Sequence, residues 1–105
     1  MLLNDLNSDL KRLRDVTEQY AEAGKQAAID EARYQSVKAT RALEMRAQGE
    51  SAAMINLLIK GDPAVNEYLL NRECSKAIYE VTKEQINTLK LSIRIIENQI
   101  EREWK

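Results

Sequence analysis

Apolar residues recur in steps of three and four along most of this chain, which is the spacing of a helix that buries one face. In the first half the pattern extends over residues 3–48, a stretch with one glycine, Gly24, and no proline. Its apolar positions are Leu3, Leu6, Leu10, Leu13, Val16, Tyr20, Ala23 and Ala27, followed by Tyr34, Val37 and Leu43. The sequence therefore predicts one long helix over residues 3–48. Gly24 is its weakest point, because glycine costs about 1 kcal/mol of helix propensity relative to alanine, and a kink or a break of the helix near Gly24 is the alternative to a continuous helix.

The same period returns in the second half, where residues 63–104 contain no glycine and only the proline at position 63. The apolar positions there are Val65, Leu69, Ile78, Val81, Ile86, Leu89, Ile93, Ile96 and Ile100. The run from Ile86 to Ile100 has steps of three, four, three and four, which are typical of a coiled-coil seam. Leu91 and Ile95 form a second stripe beside the seam. We therefore predict a helix over residues 63–104 that has more than one neighbouring helix.

A short and very apolar segment separates the two long helices. Residues 52–60 place apolar side chains around most of a helix, so we expect a short helix that is buried against more than one other helix. Its apolar members are Met54, Ile55, Leu57, Leu58 and Ile59. Gly49 suits the left-handed position that follows the first helix, and Ser51 suits the N-cap of the short helix.

The sequence "KGDP" marks the junction between the short helix and the second long helix. We expect Gly61 to end the short helix in the left-handed conformation, Asp62 to cap the next helix, and Pro63 to occupy its first position. Asp62 also has an alternative interpretation, as a cation ligand together with Glu67 or Glu73. Capping is favoured, because aspartate readily accepts hydrogen bonds from the free N–H groups at a helix start.

Together these elements predict an all-α fold in a single domain over residues 1–105. Two long antiparallel helices form a coiled-coil-like hairpin, with the short helix at its bend. Because a lone hairpin leaves the wide apolar face uncovered, we expect a homodimeric four-helix bundle or a higher oligomer. The residues expected to contact a partner or a second copy are Met54, Ile55, Leu58, Ile59, Ile93, Ile96, Ile100 and Trp104. Trp104 either seals the end of the bundle or anchors a partner protein.

The charge balance limits which partners the chain can bind. Its 16 basic and 17 acidic residues give a net charge of -1, whereas binding through phosphates requires clustered cations. One small cluster exists, formed by Lys11, Arg12 and Arg14. These cations either contact phosphates or lie on a solvated helix face that nearby acids balance. The four tyrosines are interpreted as seam residues rather than as stacking platforms for bases, because no basic groove lies between them in the sequence.

Little in the sequence points to catalysis. The chain has no histidine, the commonest general base and metal ligand, and its one cysteine cannot build a thiolate metal site. A glycine-rich phosphate loop is also absent from the sequence. We therefore predict that the protein is not an enzyme and that it uses no metal or cofactor. Cys74, which has apolar neighbours, is expected to be a small buried residue.

The chain begins "MLLNDLNSDL", where acids interrupt the apolar residues, so no secretory signal is predicted. The longest apolar stretch, "AAMINLLI", is far shorter than the ~20 residues that a membrane-spanning helix requires. We therefore expect a soluble cytoplasmic protein with no membrane partner.

The segments "LLIKGDPAV" and "LKLSIRIIENQIEREW" resemble parts of small uncharacterised helical proteins from phages and prophages of Gram-positive bacteria. The shared features are an acidic, alanine-rich first helix, a central "KGD" turn and a closing "QIEREW". Such proteins belong to early gene sets that also contain recombination and single-strand-binding genes. The resemblance implies a small accessory or inhibitor protein that binds another protein, either a host defence nuclease or the phage replication and recombination machinery. The alternative is a nucleic-acid-binding accessory of recombination or replication.

Overall fold

A computed structural model of the chain describes residues 1–104. It contains three helices, α1 over Leu2–Ala47, α2 over Ala52–Lys60 and α3 over Pro63–Glu103. None of the described residues lies in a strand. The prediction of an all-α fold, with two long helices joined by a short one, is confirmed. Helix α1 continues without a break through Gly24.

The chain divides into two compact units. Unit 1 comprises Met1–Gly24 and the chain from Ile78 onward, and unit 2 comprises Lys25–Ala77. Each unit therefore contains part of α1 and part of α3, and unit 2 contains all of α2.

In unit 1 the segments of α1 and α3 run antiparallel, because Asp9 bonds to Ser92 and Tyr20 to Tyr79. Ile93 lies in the contact and is only 8% exposed. The residues that are buried or half-buried follow one another at steps of three and four on both helices. They are Leu2, Leu6, Asp9, Leu13, Val16, Tyr20 and Ala23 on α1, and Tyr79, Thr82, Ile86, Leu89, Ile93, Ile96 and Ile100 on α3; Gly24 and Ser92, each next to one of these residues, are half-buried as well.

Part of the predicted apolar pattern is wrong. Leu3, Leu10, Ile78 and Val81 are exposed rather than packed between the helices of unit 1. The reason is that polar residues occupy some positions of the contact between α1 and α3, and a search for apolar spacing overlooks these positions. Thr82 takes such a position on α3 and Asp9 takes one on α1, so the apolar residues beside them point outward.

Unit 2 contains the main hydrophobic cluster. Tyr34, Met45, Ile59 and Val65 are buried in it, and Val65 is only 2% exposed. Half-buried residues from all three helices pack around them: Val37, Ala42, Ile55, Tyr68 and Leu69. The cluster thus joins α2 to α1 and α3.

Within unit 2, helix α2 is buried along one face only; the prediction that a plug or an interface covers the rest of its circumference concerns an assembly and stays a prediction. Only Ile55 and Ile59, which are one helical turn apart, enter the hydrophobic cluster. Met54, Leu57 and Leu58 remain exposed. The physical reason is that α1 and α3 of unit 2 contact a single face of this nine-residue helix.

The link between α1 and α2 has the predicted glycine conformation and the predicted N-cap. Gly49 adopts a φ of 92°, in the left-handed region. The Ser51 hydroxyl oxygen accepts a hydrogen bond from the N–H of Met54 at 3.3 Å and caps α2. Both features were expected from the residue types alone.

The link between α2 and α3 is only partly as predicted. Asp62 caps α3 by accepting a hydrogen bond from the N–H of Val65 at 3.1 Å, and Pro63 is the first residue of α3. Gly61, however, has a φ of -102°, so the left-handed conformation predicted for it is wrong. The N–H of Gly61 bonds to the carbonyl of Leu58 in a tightened last turn, which any residue could adopt.

Exposure within the units bears on two further expectations, and the one for Cys74 is wrong. Trp104 is 82% exposed and does not seal the end of unit 1. Cys74 is a free thiol on the surface, because it falls one position before Ser75, which faces the other helix. Among residues 1–104, no helix combines the length and the apolar content that crossing a membrane would require.

Candidate functional site

A buried carboxylate lies between the two helices of unit 2. Ser75 on α3 donates a hydrogen bond to Asp30 on α1, and Gln26 donates a second one at 3.1 Å. These bonds, with the nearby charge of Arg33, hold the pKa of Asp30 below its usual range against the opposing effect of burial. A buried charge that is fully bonded on both sides aligns the two helices and is not free to bind a ligand.

Asp62 has a similar structural role at the start of α3. One oxygen accepts from the N–H of Val65, and the other accepts from Nε of Arg41 at 2.8 Å. The bond from Val65 and then the bond from Arg41 lower the pKa of Asp62. Since both oxygens are engaged, Asp62 acts as a helix cap and an ion-pair partner.

The acids that were considered together with Asp62 as cation ligands do not join it. Glu73 pairs with its neighbour Arg72 at 2.6 Å, and Glu67 lies on the exposed face of α3. Within residues 1–104 there is no group of three or more Asp, Glu, Cys or His side chains that could hold a metal ion.

Acid should destabilise unit 2 through Asp30 and Asp62. Both folded-state pKa values lie below the unfolded value of about 3.9, so the two carboxylates stabilise the fold above that pH. This stabilisation is lost as the pH falls through the folded pKa values. We expect the melting temperature to be level from about pH 7 to 5 and to fall below about pH 4. The double variant Asp30→Asn/Asp62→Asn should show a clearly shallower fall in circular-dichroism melts; an equally steep fall would contradict these assignments.

Two stacked tyrosines form an aromatic layer in unit 1. The rings of Tyr20 and Tyr79 lie 4.6 Å apart with an interplanar angle of 14°, and their hydroxyl groups are hydrogen-bonded at 2.9 Å. This bond raises the pKa of Tyr20. Gly24 is required beside the pair, because a Cβ atom there would lie 2.9 Å from Cε1 of Tyr79. This stacking accounts for the position of both tyrosines in the contact between α1 and α3 of unit 1.

The cationic cluster of Lys11, Arg12 and Arg14 lies on the exposed surface of α1 in unit 1. None of the three forms an ion pair with another residue in the part of the chain that the structure describes. The acids proposed from the sequence to balance this face therefore do not contact it directly.

The residues predicted to contact a partner fall into three groups. Ile59 and Ile93 are buried inside their own units, where they hold the fold together. Ile55, Ile96 and Ile100 are half-buried. The exposed members are Met54, Leu58 and Trp104.

Helix α2 presents a compact apolar surface, here named the α2 patch, formed by Met54, Leu57 and Leu58. These residues occupy positions i, i+3 and i+4 and therefore share one face of the helix. Leu57 is 65% exposed, although nothing in the sequence singled it out from its apolar neighbours. The spacing of the apolar residues could have identified it, because Ile55 and Ile59 form one apolar face of α2 and the residues of the α2 patch form another.

Unit 1 carries a second apolar surface, here named the α3 stripe, formed by Ile78, Val81, Leu91 and Ile95. All four side chains are about half or more exposed. The second stripe predicted from Leu91 and Ile95 therefore lies outside the seam, as expected. No family model, curated protein or solved structure matches this chain. The two apolar surfaces are thus the features from which a function can be argued.

Proposed function

We propose that this protein acts by binding another protein through the α2 patch and that it catalyses no reaction. The observation that carries this proposal is that α2 has two apolar faces, one packed in its own unit and one exposed. Ile55 and Ile59 attach the helix to the hydrophobic cluster of unit 2, while three large apolar side chains on another face stay 39% to 65% exposed. Apolar side chains at i, i+3 and i+4 are the anchors that a helix inserts into a groove of its partner.

The energetics favour a binding role for this surface. Fully burying one exposed large apolar side chain contributes roughly 1.5–3 kcal/mol, and each of the three side chains of the α2 patch, which are 39% to 65% exposed, would contribute part of that. Because α2 is already folded and anchored, binding would not require the ordering of a flexible segment. A preformed helix of this kind loses less conformational entropy on association than a disordered peptide.

The resemblance to small phage proteins supplies the class of partner. We propose an accessory or inhibitor protein acting in the cytoplasm of the host cell. Its partner would be a host defence nuclease or a component of the phage replication and recombination machinery.

A second candidate function is nucleic-acid binding through Lys11, Arg12 and Arg14. The observation that favours it is the absence of ion pairs to these three cations within residues 1–104. Binding of this kind would be measurable at 50 mM salt and would weaken steeply as salt increases. Absence of DNA binding at 50 mM salt and micromolar protein would exclude this candidate.

The α2 patch is tested by affinity capture from the native host with matched variants. The patch variant is Leu57→Ser/Leu58→Ser, and the control is Leu43→Ser, which removes an exposed leucine from α1 of the same unit. We expect a protein that is retained by the wild type and the control and lost with the patch variant. Its purified form should bind the patch variant at least about tenfold more weakly. Equal binding to all three baits would contradict the proposal.

A further inference from the structure

Unit 2 contains a cavity that is lined by all three helices and lies apart from the α2 patch. Its volume is about 410 Å³, within the range of roughly 300–1,000 Å³ that is usual for small-molecule sites in proteins. Each helix lines it with residues from about one helical turn. They are Tyr34 and Lys38 of α1, Asn56, Ile59 and Lys60 of α2, and Val65, Asn66 and Leu69 of α3.

The aliphatic side chains of the cavity belong to the hydrophobic cluster of unit 2. Ile59 and Val65 are 8% and 2% exposed, and Leu69 packs against them from α3. Apolar atoms of a ligand gain free energy by leaving water for such a wall. The cavity therefore suits a ligand that has an apolar body.

Both charged residues of the cavity are cations. Lys38 and Lys60 come from different helices, and no acidic residue lines the cavity. Neither lysine forms an ion pair within residues 1–104. Arg72 of the same unit, by contrast, pairs with Glu31 at 3.2 Å and with Glu73 at 2.6 Å. In a chain with a net charge of -1, the cavity thus collects two positive charges that no carboxylate neutralises.

Tyr34 adds a hydroxyl group that the fold leaves without a hydrogen bond. The residue is 9% exposed, and its hydroxyl has no hydrogen-bond partner in the part of the chain that the structure describes. Every buried side-chain nitrogen or oxygen there does have one, so the Tyr34 oxygen must reach open space. The cavity is the open space that Tyr34 lines. Nζ of Lys38 lies 5.7 Å from the centre of the same ring, which holds a positive charge close to it.

We propose that this cavity binds a small phosphate monoester with an apolar body. A phosphate monoester carries a charge of about -1.5 to -2 at pH 7, which matches the two lysines. Its three free oxygens accept hydrogen bonds from the ammonium groups of Lys38 and Lys60 and from the hydroxyl of Tyr34. A carboxylate would neutralise only one of the two lysines.

The two asparagines border the same space. Nδ2 of Asn66 donates a hydrogen bond to the carbonyl of Lys60 at 3.2 Å, which ties α3 to the end of α2 beside the cavity. The Asn56 side chain forms no hydrogen bond within residues 1–104, so its amide is available to a polar group on the ligand. None of the three residues of the α2 patch lines the cavity. Partner binding and ligand binding are therefore tested separately.

Titration of isotope-labelled protein with naphthyl phosphate, followed by NMR, tests the cavity. We expect a Kd below about 1 mM and amide shifts concentrated in residues 34–38, 56–60 and 65–69. Naphthol lacks the phosphate and inorganic phosphate lacks the apolar body, so each should bind at least about tenfold more weakly. Absence of saturable shifts up to about 5 mM ligand, or shifts centred on other residues, would overturn the inference.

Adenosine monophosphate in the same titration distinguishes the sources of the ester. Tighter binding than that of naphthyl phosphate would assign the ligand to the nucleotides, and weaker binding would assign it to other phosphate esters. Either result supports a phosphate monoester site, provided that the shifts fall on the same residues.

The variant Lys38→Gln/Lys60→Gln tests the cationic part of the site. It should bind naphthyl phosphate at least about tenfold more weakly, because both charges that face the phosphate are lost. The matched control is Lys25→Gln/Lys83→Gln, which removes two exposed lysines that do not line the cavity and should keep the wild-type affinity. Equal weakening in both variants would show general attraction by the protein's charge and would overturn the site.

Tyr34→Phe tests the hydroxyl group. The variant keeps the ring and the shape of the cavity and loses one hydrogen bond to a charged ligand, so its affinity should fall about tenfold. Circular-dichroism melting of this variant should stay close to that of the wild type. An unchanged affinity for naphthyl phosphate would overturn the assignment of Tyr34 as a ligand-binding residue.

Discussion

Replacing Tyr34 by alanine should lower the free energy of unfolding of unit 2 by about 3–5 kcal/mol, the range for truncating a buried aromatic side chain. Tyr34 lies in the hydrophobic cluster with Met45 and Val65. Its ring also contacts two cations, with Cζ of Arg72 at 4.8 Å and Nζ of Lys38 at 5.7 Å from the ring centroid. Truncation would therefore leave a cavity and remove the aromatic ring that both cations contact.

Urea denaturation followed by circular dichroism measures this loss, and Tyr34→Phe is the matched control. Phenylalanine keeps the ring and both cation contacts, and the Tyr34 hydroxyl forms no hydrogen bond within the described part of the chain. The free energy of unfolding of the control should therefore change by less than about 1 kcal/mol. A large loss in both variants would show that the hydroxyl group, rather than ring packing, is important.

Replacing Ile93 by aspartate should abolish the packing of unit 1. The side chain is 8% exposed at the centre of the contact between α1 and α3. The variant loses the roughly 2–5 kcal/mol that a buried isoleucine contributes and must also desolvate a carboxylate or protonate it. Hydrogen exchange should report lost protection in unit 1, over residues 1–24 and 78–104.

Ile95→Asp provides the control for this change, because the same substitution two residues away falls on the α3 stripe. Ile95 is about half exposed, and the new carboxylate can stay in water in the monomer. Unit 1 should keep its exchange protection in this variant. Equal loss of protection in both variants would contradict the seam as the structure places it.

Much of the fold could be predicted from local chemistry. The long absence of glycine and proline, together with the steps of three and four, is sufficient for α1 and α3. Gly49, Ser51, Asp62 and Pro63 adopt the helix-end roles that their residue types favour. Gly61 does not, since a tightened last turn satisfies its backbone without a positive φ.

The candidate surfaces could be predicted only in part. Leu91 and Ile95 were recognised as a second stripe, yet Ile78 and Val81 were counted in the same apolar period as the seam residues. A pattern of apolar residues cannot show that Thr82 and Asp9 face the opposite helix. The Thr82 hydroxyl is satisfied within α3, where it donates to the carbonyl of Ile78 at 2.7 Å, whereas the burial of Asp9 depends on a hydrogen-bond partner across the contact. For Asp9 that partner is Ser92, at 2.6 Å and 83 positions away in the chain.

By itself the sequence determined the helices, their ends and the all-α class, because these depend on residues a few positions apart. Tertiary structure alone decided which apolar face of each helix is buried. Ile55 and Ile59 enter the hydrophobic cluster while Leu57 stays in water, although all three are equally apolar. The choice depends on how α1 and α3 meet α2, and that is set by contacts between distant residues such as Arg41 and Asp62.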